Sequence, residues 1–378
     1  MMLLGGLLAV LVGLLIGVLT TLAGVRPVRF ARHHARCKSW PYVSVLVPAY
    51  NEEKVITRCL DSILEQDYPH FEVIVIAGGE DRTFELAQQY LKRGVAVIPQ
   101  PRRGKAYALN LGLAKAQGEV IVTVDADCRL PKEWLKQVVA PLVIDPDVAA
   151  VGGWSRPTNP KGILVACLYA REAYESVIRQ RELVVLPGFG SAYRASALKE
   201  VGGFNERVYM LIDYEVQQRL AARGFRFLRS LDAVLYREYA RRLRDYVKQQ
   251  LRWVRGMFRH SLRYERLPFL TRIRIGVRPL VYTLVLIAPL ALLIPAAGFL
   301  WIKLLWMWGS LLYIGYALGK MVGAMFAVSK VLGDRWLLNY LWGAVLCIFI
   351  NMGIYITAFF QEIVGWRERV TFDVEHLG

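Results

Sequence analysis

Between residues 42 and 127 the chain alternates short apolar runs with segments of helical spacing. The runs "YVSVLVPAY" (42–50), "FEVIVIAGG" (71–79), "VAVIPQ" (95–100) and "EVIVTVDAD" (119–127) are dense in Val and Ile. Runs of that length and composition suit strands buried on both faces of a parallel sheet. Between them, "NEEKVITRCLDSILEQ" sets Val55, Ile56, Cys59, Leu60, Ile63 and Leu64 at helical spacing, with Asn51 as the expected N-cap. "TFELAQQYLKRG", closed by Gly94, and "GKAYALNLGLAKAQG" read as two further helices. Strand and helix in alternation predict a three-layer, mostly parallel α/β sheet. Ligands of such sheets collect beyond the carboxyl ends of the strands. Asn51 and Glu52, Glu80 and Asp81, and Asp125 and Asp127 all fall there. The first turn, "PAYNEE", has no GxGxxG, which excludes a dinucleotide-dependent dehydrogenase.

Both ends of the chain abandon this alternation. Residues 3 to 25 carry no charge over 23 positions, enough to cross roughly 30 Å of hydrocarbon. No Lys or Arg precedes this run and it outlasts an ordinary h-region, so it reads as a retained helix, not a cleaved signal peptide. From about residue 279 three more spans are expected, near 279–302, 304–329 and 336–363, the second interrupted by Lys320. A cytoplasmic domain over 40–236, basic interfacial helices over 237–278 and a short tail over 364–378 complete the expected organisation. Arg26, Arg29, Arg32, Arg36 and Lys38 follow the first apolar run, so positive-inside bias predicts an external N-terminus and a multi-pass plasma-membrane protein.

Composition agrees: 55% of residues are hydrophobic and the mean hydropathy is +0.32, too apolar for a soluble protein of this size. The net charge of +17 is concentrated, with thirteen Lys/Arg against three Asp/Glu between Arg237 and Arg278. A basic stretch beside a membrane span points to anionic lipid headgroups, and no nucleic-acid-binding motif accompanies it. Its segment "LRDYVKQQLRWVRGMFRHSLRYERL" is expected to turn Leu251, Val254 and Phe258 toward lipid or the soluble domain. Cys37, Cys59, Cys128, Cys167 and Cys347 form no CxxC pair, as expected of thiols in a reducing compartment.

Several polar groups carry candidate chemistry. "DAD" presents Asp125 and Asp127 at the end of a buried strand, on one side if the strand alternation continues. Two adjacent anions are costly without a cation, and a hard divalent metal on a diphosphate suits them. The alternative is that Asp127 caps the helix near "PKEW". Arg102, Arg103 and Lys105 flank a glycine turn that opens a helix, a cationic spot suited to phosphate. In "PGFGSAYRASALKEVGGFNE" (187–206), glycines let backbone approach a sugar closely. Asp213 in "LIDYEVQQRL" is either a helix cap or a general base.

Taken in order, "VSVLVPAYNEE", "RRGKAYALNLGLAKAQGEVIVTVDADC", "GFGSAYRASALKEVGGFNE", "IDYEVQQRLAARGFRF" and "QQLRW" resemble the membrane-bound family 2 glycosyltransferases that carry DxD and QxxRW motifs. That group includes cellulose, chitin and hyaluronan synthases and ceramide glucosyltransferases, and the likeness covers roughly residues 41–260. It implies a GT-A-type nucleotide-sugar-binding domain flanked by transmembrane helices, and a metal-dependent, inverting transfer. It implies nucleotide-sugar contacts for Pro48, Tyr50, Glu52, Glu80, Asp81, Lys105, Asp125, Asp127, Gln249 and Arg252. By the same likeness Asp125 and Asp127 hold magnesium or manganese, and Asp213 is the base. Gly188, Phe189, Gly190, Ser191, Asp213 and Trp253 would line the acceptor, with the indole as its floor.

Two departures stand out. Where the group usually has "DDGS", this chain has "AGGED" (77–81), with Ala77 and Gly78 in place of the acidic pair. Before Asp213 stand Leu211 and Ile212, not Thr or Glu. The expected donor is a UDP-sugar, and the expected acceptor a lipid or short oligosaccharide. A processive polysaccharide synthase and a non-catalytic sugar-nucleotide-binding scaffold are the alternatives.

Overall fold

A computed structural model describes residues 2–26, 28, 37, 39–179, 186–208, 210–263, 269–293 and 300–363. Arg29, Arg32, Arg36, Lys38, Arg266 and the tail 364–378 lie outside the described residues. In chain order the first elements are α1 (Met2–Ala23), β1 (Val43–Tyr50), α2 (Ile56–Leu64), β2 (Phe71–Gly78), α3 (Thr83–Gln88), β3 (Ala96–Pro99), α4 (Lys105–Lys115), β4 (Val120–Val124), β5 (Cys128–Arg129) and α5 (Trp134–Ile144). They are followed by β6 (Val148–Pro157), α6 (Ile163–Ala173), β7 (Gly190–Arg194), α7 (Ala195–Glu200), α8 (Ile212–Ala222), β8 (Arg226–Arg237), α9 (Leu243–Arg263), α10 (Phe269–Ile287), α11 (Leu300–Leu332) and α12 (Ala344–Ile363). The chain divides into an α/β unit, residues 28–158 and 181–238, and a helical unit, residues 1–27, 159–180 and 239–368. The domain expected over 40–236 is thus interrupted: α6 belongs with the helices.

The α/β unit is built on an eight-stranded sheet of order β3-β2-β1-β4-β7-β6-β8-β5. Its first four strands are parallel, as the sequence predicts, while β7 pairs antiparallel with both β4 and β6. Residues of opposite parity on β1 and β2 enter different cores, the period-2 signature of a sheet covered on both faces. Val43, Val45 and Val47 join Val73 and Val75 against α2 and α5. Leu46, Ile74 and Ile76 pack against α4 and α8 on the other side. Fully burying each such aliphatic side chain contributes about 1.5–3 kcal/mol.

Two local expectations change. Helix α2 begins at Ile56 with Val55 at its cap position. Asn51 instead takes a left-handed backbone, φ 58°, and its Oδ1 accepts the Glu80 N–H at 2.8 Å. Strand β4 ends at Val124. Asp125, Ala126 and Asp127 form a turn closed by the Cys128 N–H on the Asp125 carbonyl at 3.0 Å, so the turn, not strand alternation, sets where the two Asp stand.

In the helical unit α1 lies along α11 through glycines. A Cβ on Gly17 would stand 2.2 Å from the Tyr316 carbonyl oxygen, and one on Gly319 2.2 Å from that of Leu14. Small residues let two apolar helices approach this closely. Away from that seam, Leu4, Leu7, Leu8, Leu11 and Leu15 are exposed. Among the described residues, three segments are long and apolar enough to cross a membrane: Leu4–Ala23, Leu300–Leu332 and Arg335–Ile363. The span expected near 279–302 is redistributed. Helix α10 starts within the basic sequence at Phe269, leaving only Ile275–Leu290 as an apolar helix, below the ~20 residues a span needs. Residues 294–299 lie outside the described residues, and Leu300 already opens α11. Lys320 sets its ammonium 5.8 Å from the Tyr316 ring centroid. Phe258 on α9, expected to face outward from this helix, is buried and packs edge-on against Tyr355 and Phe359 of α12. Glu362 pairs with Arg255 at 2.9 Å and Arg259 at 3.0 Å on the same face of α9.

Candidate active site

Four chain segments converge beyond the carboxyl end of β4. Lys105, the first residue of α4, donates to Asp125 Oδ1 and, at 2.9 Å, to the Gly188 carbonyl. The Asp125 N–H donates to the Phe189 carbonyl at 3.2 Å. Gly188 also backs Asp213: a Cβ there would lie 3.0 Å from the Asp213 carboxylate. A side chain there would push the carboxylate aside by a few tenths of an ångström.

Asp213 stands in the first turn of α8 and accepts hydrogen bonds from its own N–H and that of Tyr214. The preceding Leu211 adopts a left-handed conformation, φ 51° and ψ 50°, costly for a branched side chain. Burial pushes the Asp213 carboxyl up to about 6, against the pull of Lys105. Burial alone would lower the Lys105 ammonium, but Asp125, Asp213 and Asp127 outweigh it and hold it above its ordinary value. At neutral pH the site therefore presents one carboxylate able to take a proton beside a fixed cation.

Asp127 Oδ1 accepts the Cys128 thiol at 3.5 Å. Burial raises the Cys59 and Cys128 thiols well above their usual values, so neither serves as a thiolate nucleophile. Asp125 and Asp127 are half-buried at one turn, and no group of three His, Cys, Asp or Glu makes a closed metal cage among the described residues. Two half-buried carboxylates at one turn fit magnesium or manganese, which take one or two carboxylates and complete their shell from phosphates and water.

At the ends of β1 and β2 the predicted residues divide. Pro48 and Tyr50 are half-buried on the face they share with Leu46. The Glu52 N–H donates to Thr83 Oγ1 at 2.6 Å. Asp81 accepts the Glu53 N–H at 3.1 Å, the Thr83 N–H at 3.0 Å and the Thr83 hydroxyl at 2.6 Å. Its carboxylate is a clasp between two loops. The Glu80 side chain is 83% exposed and lies 3.8 Å from Arg102. The missing acidic pair has a steric cause. Ala77 is fully buried. A Cβ on Gly78 would come within 2.3 Å of the Gln100 carbonyl oxygen, and one on Gly79, at φ 128°, within 2.1 Å of Asn51 Oδ1.

Two predicted acceptor residues are corrected. Ser191 is fully buried and donates its hydroxyl to the Pro187 carbonyl at 2.9 Å. Gly190 is packed where a Cβ would meet Leu235 at 2.5 Å. Both shape the Gly188–Phe189 loop from beneath. Arg237, absent from the sequence prediction, is 4% exposed. Its guanidinium lies 4.8 Å from the Phe189 ring centroid and its Nε donates to Ser155 Oγ at 3.0 Å. The signal was its parity: Ala233, Leu235 and Arg237 all point inward on β8.

Residues 44–202 match the Glycosyl transferase family 2 profile. This segment is a family 2 glycosyltransferase domain. The probable glycosyltransferase YdaM of Bacillus subtilis is 28% identical to the chain over 235 residues, covering 58% of this chain and 56% of that protein. The poly-beta-1,6-N-acetyl-D-glucosamine synthase of Staphylococcus epidermidis is 25% identical over 228 residues, covering 57% and 54%. The chain thus spans about half the length of these curated relatives. The mannosyltransferase PcManGT from Pyrobaculum calidifontis, solved with GDP-Man and Mn2+, superposes with a TM-score of 0.58 at 22% identity, covering 97% of this chain and 100% of that one. The glycosyltransferase domain therefore has the mixed α/β GT-A fold.

Asp213 falls just beyond the matched segment, in the same α/β unit as Lys105, Asp125, Asp127, Gly188 and Phe189. Gln249, Arg252 and Trp253 belong to the helical unit, where i, i+3, i+4 spacing puts them on one face of α9. Arg252 is exposed, while Gln249 and Trp253 are half-buried.

Proposed function

We propose that the protein is a membrane-embedded, inverting glycosyltransferase that moves a sugar from a nucleoside diphosphate donor, a UDP-sugar in the first instance, to a lipid or short-oligosaccharide acceptor. The observation that carries this reading is the convergence of Lys105, Asp125, Gly188 and Asp213, with Asp213 poised near 6. The acceptor O–H bond breaks as its oxygen bonds to the anomeric carbon, and the proton passes to Asp213. The bond from that carbon to the diphosphate breaks with its electron pair going to the departing nucleoside diphosphate. Asp125 is ion-paired to Lys105 and Asp213 is assigned as the base, so this reading is a single displacement that inverts the centre. Asp127 with Asp125 would hold magnesium or manganese, which when bound offsets charge on the diphosphate. Arg252 and Gln249 are assigned to the diphosphate and Trp253 to the acceptor's apolar face by the QxxRW likeness.

The full chain, purified with its native lipids, should release nucleoside diphosphate from one member of a UDP- and GDP-sugar panel. Release should fall at least about a hundredfold with EDTA and return with excess Mn2+. No release from any donor, with or without metal, would leave only a binding scaffold. A single-sugar product supports the lipid or short acceptor, whereas a ladder of lengths would replace it with a processive synthase.

The proposed placement is the plasma membrane, with the α/β unit cytoplasmic. Lys92 is exposed, so Lys92→Cys should react with an impermeant maleimide only after permeabilisation. Reaction in intact cells would reverse the topology.

A further inference from the structure

The helical unit contains two guanidinium groups held by neutral partners. Arg171 on α6 donates to the Gln250 side-chain carbonyl of α9 at 2.7 Å, and no ion pair joins it to a carboxylate among the described residues. Its sequence neighbour Glu172, the acidic group within electrostatic reach, accepts the Tyr239 hydroxyl at 2.8 Å. Arg278 on α10 donates to the Tyr355 hydroxyl of α12 at 3.2 Å and lies 5.4 Å from that ring's centroid. Tyr282 and Tyr355 are within electrostatic reach of both arginines, and their rings meet at 5.6 Å. Around them Tyr246 donates to Asn351 at 3.0 Å. Gln250 is 2% exposed, yet its Nε2 has no hydrogen-bond partner among the described residues.

Two cations, two tyrosine hydroxyls and an unsatisfied buried amide make an environment rich in donors and poor in acceptors. Burying a guanidinium without a counter-anion is costly. A phosphate accepts several donors at once and matches the planar guanidinium fork. Arg278 is exposed while Arg171 is half-buried, so the cluster is open at one side. Beside it Tyr282 packs with Tyr313 of α11 and Met352 of α12 in one apolar cluster.

We infer that Arg171, Arg278, Gln250 and the Tyr282–Tyr355 pair form a binding site for the phosphate headgroup of a lipid. The inference deepens the acceptor reading above and rests on its membrane assignment. Phosphate binding is measured without donor, however, so the two fail separately.

The test uses the full chain in detergent with farnesyl phosphate, farnesol and inorganic phosphate as probes, read by native mass spectrometry. Farnesyl phosphate should bind at least about tenfold more tightly than farnesol, with inorganic phosphate a weak competitor. Arg278→Gln and Arg171→Gln should each weaken farnesyl phosphate about tenfold, whereas Arg171→Lys, which keeps the charge but loses the fork, should recover only part of that loss. Arg278 is exposed, so its variant keeps the fold, and a matched melting midpoint checks that. Equal binding of farnesol and its phosphate, or unchanged binding in Arg278→Gln with a native melt, would overturn the site. Inorganic phosphate binding as tightly as the lipid would overturn the lipid as its source. Donor turnover that fails while lipid phosphate still binds counts against the transferase reading alone.

Discussion

Asp213→Asn is expected to remove turnover, by about 10²–10⁴-fold in rate, while nucleotide binding stays largely intact. Asn keeps the shape that Gly188 leaves room for and can still accept from the backbone N–H groups at the start of α8. It cannot take the acceptor's proton. Because the Asp213 carboxyl is pushed up to about 6, wild-type turnover should fall as the pH drops below that value, and this limb should be missing from any residual Asn activity. Stability moves the other way. The folded protein holds this proton more tightly than the unfolded chain, whose Asp titrates near 3.8, so Asp213's contribution to stability declines as pH rises from about 4 through about 6. At pH 7 the ionised carboxylate costs on the order of 3 kcal/mol, and the Asn variant should melt higher. Normal turnover in a well-folded Asp213→Asn protein would refute the base assignment. A loss of turnover with a lowered melt would mean the residue is structural.

Gly17→Leu carries the second large effect. The Gly17 Cα faces the backbone of α11 with space for hydrogen alone, since a Cβ would sit 2.2 Å from the Tyr316 carbonyl oxygen and 2.9 Å from the Gly319 Cα. Backbone cannot move aside as a side-chain tip can, so the helices must part, losing about 3 kcal/mol or more. The expected readout is a lowered melting midpoint in detergent and protease cleavage between α1 and β1. Gly309→Ala is the matched control: it lies on α11 with nothing within 4 Å of an added Cβ, and it should be neutral or slightly stabilising. A Gly17→Leu protein as stable as wild type would mean that α1 does not depend on this seam.

The parallel half of the sheet was legible because β1, β2 and β4 are buried on both faces and read as unbroken Val/Ile runs. Asp125, Asp127 and Asp213 stand out in the sequence because polar residues at strand ends and helix starts mark abrupt boundaries, and the structure places all three in the α/β unit. The mixed half, β7-β6-β8-β5, was not legible. Strand β6, "VAAVGGWSRP", carries two glycines and a terminal proline, and its partners lie far along the chain. Helix α6 reads "ILVACLYAREA", a pattern that periodicity cannot assign to one core or the other. Ser191 and Asp81 misled for a shared reason: short polar side chains beside a site serve equally well to satisfy local backbone, and only three-dimensional packing shows which task they have. Arg171 and Arg278 were invisible as a pair because helices distant in sequence bring them to the same tyrosines.

The tight turn at Gly78 and Gly79 bears on how donor preference could drift over time. With no space for a carboxylate at Gly78 or Gly79, those two positions can meet a donor's heterocycle only through peptide amides and carbonyls, whose chemistry is the same whatever residue carries them.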